Sequence, residues 1–192
     1  MIKAVFLDRD GTLNEDTLYP HKIKDFKLLP GVIQGLTKLS NEFIFVIITN
    51  QSGIGRGYYE EKDFKNFNNH LLKTFVERGI HIKKTYCCPH TPEDMCDCRK
   101  PNTRYIEQAV EEFQIDLKGS WVIGDHPHDI EMGLKAGIQT VYLLTGHGKK
   151  HLDGLEKNSI KPDFIAENFL QAANFIIKKI KRIEYKRKKC SK

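Results

Sequence analysis

The strongest constraint on the fold is an alternation. Short runs rich in Val, Ile and Phe are separated by longer stretches whose apolar residues recur every three or four positions. The runs cover residues 4–7, 43–48, 121–123 and 140–144, with weaker ones at 84–87 and 163–166. Apolar runs of this length without polar alternation suit strands buried on both faces. Helical spacing holds over residues 31–40, 60–78, 103–113, 129–136 and 168–180. In the second of these, Phe64, Phe67, Leu71, Leu72 and Phe75 form one stripe, expected to pack in the core. Strands alternating with helices predict an α/β fold, a doubly wound parallel sheet with helices on both faces. Such sheets bind ligands at the carboxyl ends of their strands, so the chemistry belongs where strands end.

No repeat, low-complexity segment or linker divides the 192 residues, so one domain is expected over residues 1–180, followed by a basic tail at 181–192. The net charge of +6 is local. Of 31 Lys/Arg and 25 Asp/Glu, nine and one fall in Lys178–Lys192, leaving 22 basic against 24 acidic residues elsewhere. The body is therefore not a basic nucleic-acid-binding surface, and the tail reads as a solvated helix end. No run approaches the roughly 18 apolar residues of a membrane span, and no signal-peptide pattern follows Met1. A cytoplasmic, monomeric protein with no membrane or nucleic-acid partner is expected. Collagen-like, disordered and disulfide-scaffold classes are excluded by 14 Gly, 7 Pro and 5 Cys over this length.

Four strand ends carry chemistry. The first run leads into Asp8-Arg9-Asp10-Gly11-Thr12. Two acids one residue apart cannot both be buried without a counter-charge, for which a bound cation is the simplest expectation. The second leads into Thr49-Asn50-Gln51-Ser52-Gly53, hydroxyl and amide donors with little bulk, as a phosphate-binding turn requires. Arg99-Lys100-Pro101 place positive charge ahead of a helix N-terminus, where anions bind well. Asp125 follows the fourth run, and Asp129 lies four residues on. Taken singly, each could be a tight turn, a helix cap or a solvated pair. Their order decides: acids, hydroxyl, lysine and acids at successive strand ends make a phosphoryl-transfer constellation.

In these four motifs the sequence resembles the haloacid dehalogenase superfamily of phosphatases. The resemblance implies that Asp8 attacks phosphorus to form an aspartyl-phosphate and that Asp10 protonates the leaving alcohol, then deprotonates water. It implies catalytic Mg²⁺ held by the Asp8 carboxylate, the Asp10 main-chain carbonyl and Asp125, with Thr49 and Lys100 on the phosphoryl oxygens. Asp129 is expected to orient Lys100 or a metal-bound water.

Cys88, His90, Cys96 and Cys98 give a Cys-x-His-x5-Cys-x-Cys spacing, three thiols and one imidazole within eleven residues. That donor set suits a closed tetrahedral Zn²⁺, with no position left for a catalytic water, so the zinc is expected to be structural. Cys87 reads as a buried spare. The loop resembles the zinc-loop branch of the superfamily, which includes heptose-bisphosphate and histidinol-phosphate phosphatases. Thr49–Gly57 and Asp8–Asn14 look more like the heptose enzymes. Residues 124–129, Gly-Asp-His-Pro-His-Asp, depart from the branch, where a basic residue often follows the first Asp.

In that reading the partner is a phosphorylated small molecule, a heptose 1,7-bisphosphate cleaved at C7, with histidinol phosphate as the alternative substrate. A catalytically silent zinc- and phosphate-binding module is the non-enzyme alternative. Substrate contacts are implied at Asp16, Thr17, Leu18 and Tyr19, at Thr49, Asn50, Gln51 and Ser52, and at Arg99, Lys100 and His126. Arg99 suits a second phosphate because its fork binds oxygens bidentately. His128 and His147 are expected to be structural. About 50 residues separate Thr49 from Lys100, too few for a separate cap domain beside the helix and zinc loop, so residues 15–29 and that loop should form the rim of an open site.

Overall fold

All six apolar runs become strands in the computed structural model, which describes residues 2–190 apart from the side chains at 184, 186–188 and 190. The thiol of Cys190 and most of the side chains at the end of the basic tail therefore lie outside the described residues. The strands are β1 (Ala4–Leu7), β2 (Ile44–Asn50), β3 (Ile82–Cys88), β4 (Trp121–Gly124), β5 (Gln139–Leu143) and β6 (Phe164–Ala166). They form one sheet in the order β3-β2-β1-β4-β5-β6, every neighbouring pair parallel. The order reverses between β1 and β4, and an open sheet forms its ligand crevice at such a switch point.

The helices are α1 (Val32–Leu39), α2 (Ser52–Gly55), α3 (Glu61–Val76), α4 (Arg104–Phe113), α5 (Pro127–Lys135), α6 (Gly148–Lys157) and α7 (Phe169–Cys190). Of these, α2 and α6 were not visible in the sequence pattern. α2 is a single turn, and α6 buries only Gly148 and Leu155. Neither has enough apolar residues to write a helical period. α7 continues to Cys190. None of the described helices is long and apolar enough to cross a membrane.

Alternation along each strand splits the core into two layers. Val5 and Leu7 join Leu36, Phe45, Ile47, Leu71, Phe75, Ile123 and Ile176 on one face, covered by α1, α3 and α7. Ala4 and Phe6 join Val46, Ile48, Ile106, Ala109, Val122 and Met132 on the other, covered by α4 and α5. β1 has every residue buried and sits between β2 and β4. Its C-terminal end thus lies in the interior of the sheet, and the Asp8 N–H donates to the Ile123 carbonyl at 3.0 Å, pinning that end beside β4.

Candidate active site

Two strand ends, one loop and the first turn of α5 bring four charged groups together. Lys100 Nζ lies 2.6 Å from Asp8 Oδ1 and 2.7 Å from Asp129 Oδ1, and it also donates to the Ile48 carbonyl at 2.9 Å. Asp8, Asp125 and Asp129 each offer a carboxylate oxygen within 4.8 Å of the others. Gly11, after β1 at φ 79°, and Gly124, at the end of β4, make this possible: a Cβ on Gly11 would overlap the Asp125 carboxylate, and one on Gly124 would overlap Asp129. Asn50 locks Lys100 from below, its Oδ1 accepting the Lys100 N–H at 3.0 Å and its Nδ2 donating to the Lys100 carbonyl at 3.2 Å.

The charges do not balance. One ammonium faces three carboxylates in a buried site. Burial pushes the Asp8 carboxyl up to about 7, Lys100 pulling it down and Asp129 pushing it up. For Lys100, burial works against the charged form, but Asp129 and Asp8 outweigh it and raise its pKa. Asp125 is 3% exposed and has no cationic partner, only the His147 N–H at 2.8 Å and the Thr12 hydroxyl at 3.3 Å, and burial together with Asp8 drives its pKa well up. Asp129 Oδ1, although near Lys100, lies outside hydrogen-bond geometry and has no directional donor. Buried carboxylate oxygens in surplus over a single ammonium are the donor set of a hard cation such as Mg²⁺.

Asp10 has a different counter-charge from the one expected. Its carboxylate meets Arg9, whose Nε and Nη2 reach Oδ1 and Oδ2 at 2.9 and 2.8 Å. The expected cation therefore answers Asp125 and Asp8, while the protein itself neutralises Asp10. Asn14 and Gln51 add one donor each. Part of the α3 stripe serves this arrangement, because Phe64 and Phe67 present their rings to the Arg9 guanidinium at 5.2 and 4.9 Å.

The Cys/His loop gathers as its spacing required. The Sγ atoms of Cys88, Cys96 and Cys98 are 3.3–3.6 Å apart, and His90 Nδ1 lies 3.7 Å from Cys88 and 3.3 Å from Cys98. Tetrahedral zinc with Zn–S bonds of about 2.3 Å has S···S edges of about 3.8 Å, so the four atoms already approach the shell of one ion. The loop is tied to both neighbouring motifs. The Gln51 N–H donates to the Cys88 carbonyl at 2.7 Å, and Arg99 Nη1 donates to the His90 carbonyl at 3.1 Å. Cys87 is half-buried, and burial pushes its thiol up to about 12.

A cavity of about 350 Å³ opens above the carboxylates. Among the sequence-selected residues, Asp8, Asp10, Asp16, Leu18, Tyr19, Thr49, Asn50, Gln51, Arg99, Lys100, Asp125 and His126 line it, whereas Thr17 and Ser52 do not. Leu18 and Tyr19 both take φ 62°, rare for bulky residues, and Leu18 stands 76% exposed at the rim. Gln51 is 2% exposed, and its amide is engaged inside the protein: Nε2 donates to Asp10 and to Thr49 Oγ1 at 2.8 Å each, and Oε1 accepts from Tyr59. Burial lowers His126 to about 4, so it is neutral. Its Nδ1 accepts the His128 N–H at 3.2 Å, which leaves Nε2 to carry the proton.

The sequence reading missed His147 and His151 as lining residues and Thr12 as a partner of Asp125. His147 links two loops across the site, its N–H on Asp125 and its Nε2 3.2 Å from Asp16 Oδ2. A histidine directly after Gly146 in a strand-end loop was the available signal.

Comparison with known proteins agrees with this geometry. A family model described as HAD-hydrolase-like matches residues 97–172, which include Lys100, Asp125 and Asp129. That is the class the fold and the switch-point acids define, the haloacid dehalogenase-like hydrolases. The D-glycero-alpha-D-manno-heptose-1,7-bisphosphate 7-phosphatase of Campylobacter jejuni is 42% identical over 149 residues, 77% of this chain and 86% of its own length. The corresponding beta-heptose enzyme of Haemophilus ducreyi is 39% identical, covering 79% of this chain and 91% of itself. The crystal structure of D,D-heptose 1,7-bisphosphate phosphatase from B. bronchiseptica, complexed with magnesium and phosphate, superposes with a TM-score of 0.83 at 26% identity, over 93% of this chain and 99% of that one. The chain belongs to the haloacid dehalogenase-like phosphatases and, within them, to the family of heptose-1,7-bisphosphate 7-phosphatases.

Proposed function

We propose that this chain removes the C7 phosphate of D-glycero-D-manno-heptose 1,7-bisphosphate through an aspartyl-phosphate on Asp8. The observation that carries the reading is the Asp8 carboxylate held 2.6 Å from Lys100 at the floor of a cavity wide enough for a phosphorylated sugar. Relatives acting on this bisphosphate match more than three quarters of the chain, which favours it over histidinol phosphate.

The chain's own residues divide the work. Asp8 supplies the nucleophilic oxygen: its bond to phosphorus forms as the bond from phosphorus to the C7 oxygen breaks. Lys100 and the Thr49 hydroxyl hold the phosphoryl oxygens, and Asn50 and Asp129 fix Lys100 in place. Asp10 gives a proton to the departing C7 oxygen, then takes one from the water that cleaves the acyl phosphate, so the cycle closes without net proton loss. Mg²⁺ fits the carboxylates of Asp8 and Asp125 with the Asp10 main-chain carbonyl, and when bound it neutralises the surplus negative charge of the carboxylates and the phosphoryl group. Arg99, anchored on the zinc loop, meets the phosphate at C1. His126 offers its Nε2–H to the sugar, and Asp16, Leu18 and Tyr19 bound it from the rim. Zinc in the Cys88/His90/Cys96/Cys98 site stiffens the loop that carries Arg99 and Lys100.

A phosphorylated-sugar substrate and four clustered thiols suit a reducing, cytoplasmic setting. The test is a paired assay with magnesium present. Rapid phosphate release from the heptose bisphosphate and slow release from histidinol phosphate is expected; the reverse order would overturn the substrate assignment.

A further inference from the structure

The residue between the two motif acids is the least expected in the site. Arg9 is completely buried, one of the largest fully enclosed side chains in the protein. A cation is costly to bury unless each of its faces is answered. Its Nε and Nη2 grip the two oxygens of Asp10, Nη2 also donates to the Pro20 carbonyl at 3.2 Å, and the cation lies against the Phe64 and Phe67 rings while Nη1 has no acceptor. Burial opposes the Arg9 charge, and Asp10 restores it.

Counting acceptor positions on Asp10 gives the consequence. Oδ1 accepts from Arg9 Nε and from Asn14 Nδ2, both at 2.9 Å. Oδ2 accepts from Arg9 Nη2 and from Gln51 Nε2, both at 2.8 Å. A carboxylate has about four lone-pair positions, and here all four are taken. No direction remains free for the oxygen of a leaving group or an attacking water. Asp10 must exchange one donor to act. Asn14 and Gln51 are buried as Arg9 is, but the Arg9 fork alone is bidentate and charged and rests on two aromatic faces, so it stays while a neutral amide is released.

We infer that Arg9 is a positioning residue: its bidentate grip fixes the Asp10 carboxylate beside the reacting phosphoryl group, so that only the bond from Asn14 or Gln51 is exchanged during proton transfer. This rests on the phosphatase reading of the site and assigns a role that the four motifs leave open.

Leaving-group dependence separates such a role from general disruption. A sugar alkoxide needs a proton to depart, and p-nitrophenolate does not. Arg9→Lys keeps the charge but loses the fork. In that variant kcat/KM for the heptose bisphosphate should fall on the order of 10- to 100-fold, up to the lower end of what one general acid contributes, because Asp10 is misplaced and not removed. For p-nitrophenyl phosphate kcat/KM should stay within about twofold, because general-acid assistance contributes little when the leaving group needs no proton. Water attack would still lack its positioned base, so p-nitrophenol should appear as a burst of about one equivalent per site before slow turnover. Phe67→Leu takes one aromatic face from the Arg9 guanidinium while keeping an apolar side chain in place, and it should show the same pattern at roughly threefold on the sugar substrate; it decides the question if the Arg9 variant does not fold. Equal losses on both substrates, or no burst, would overturn the inference while leaving the phosphatase reading standing. A wild-type protein inactive on both substrates would overturn that reading itself.

Discussion

The carboxylate cluster and the cysteine loop each collect four polar groups within contact distance, yet they are built in opposite ways. Asp8, Lys100, Asp125 and Asp129 come from distant parts of the chain and meet only because β1 and β4 are neighbours and the Lys100 loop crosses their ends. Cys88, His90, Cys96 and Cys98 lie within eleven residues and close by local turns. The first site is left with uncompensated negative charge and an open cavity. In the second, all four tetrahedral positions are filled by protein. An open, charge-frustrated site can bind and transform a ligand, while a closed one can only hold its loop in shape.

That contrast can be broken most forcefully at the nucleophile. Asp8→Asn keeps size but cannot attack phosphorus, so kcat should fall at least about 1,000-fold with a native circular dichroism spectrum and zinc content. Residual activity of a few per cent would rule out the covalent route.

Asp125→Asn sharpens the electrostatic half. Removing a buried charge that lacks a cationic partner should weaken magnesium activation and lower kcat/KM on the order of 100-fold, partly restored by excess magnesium. The same change should leave stability unchanged or raise it in magnesium-free buffer. A gain of about 1 kcal/mol corresponds to roughly 2–4 °C in Tm for a chain this size. A large drop in Tm would show that Asp125 is satisfied by the protein alone.

Arg99 tests the bridge between the two regions. Arg99→Ala should raise KM for the bisphosphate, with kcat/KM falling roughly 10- to 150-fold, the equivalent of a charge-assisted contact of about 1.5–3 kcal/mol. A small monophosphate should be little affected. Equal loss on both would mean that Arg99 does not read a second phosphate.

The cysteine loop should give the smallest catalytic effect and the clearest metal signal. Protein purified without added zinc is expected to hold about one zinc per chain by elemental analysis, and Cys96→Ser should lose it. Activity should drop on the order of tenfold, because Arg99 and Lys100 are displaced while Asp8 is untouched. A metal-free wild type with full activity would remove zinc from the scheme.

Legibility in the sequence follows the same divide. The strand runs at 4–7 and 121–123 match β1 and β4 almost residue for residue, because strands buried on both faces must be apolar throughout. The zinc ligands were readable because their contacts are local. α6 was not, since a surface helix burying two residues leaves no period. Asp8, Thr49, Lys100 and Asp125 could be singled out by their places after strands, but nothing in their spacing fixes a distance between them.

Residue types and their periodicity alone determined the alternation of strands and helices, the acids at the switch point and the composition of the metal loop. The tertiary structure decided which charge answers which. A bound cation was the simplest counter-charge for the two acids, and it is Arg9 that answers the Asp10 carboxylate. Lys100 joins Asp8 to Asp129, Asp125 is left with main-chain and hydroxyl donors, and Thr17 and Ser52 do not line the cavity that their neighbours line. The physical reason is that burial patterns are written along the chain, one residue after another. Pairing of buried charges depends on side-chain direction and on contacts between residues roughly a hundred positions apart, which exist only once the sheet has formed.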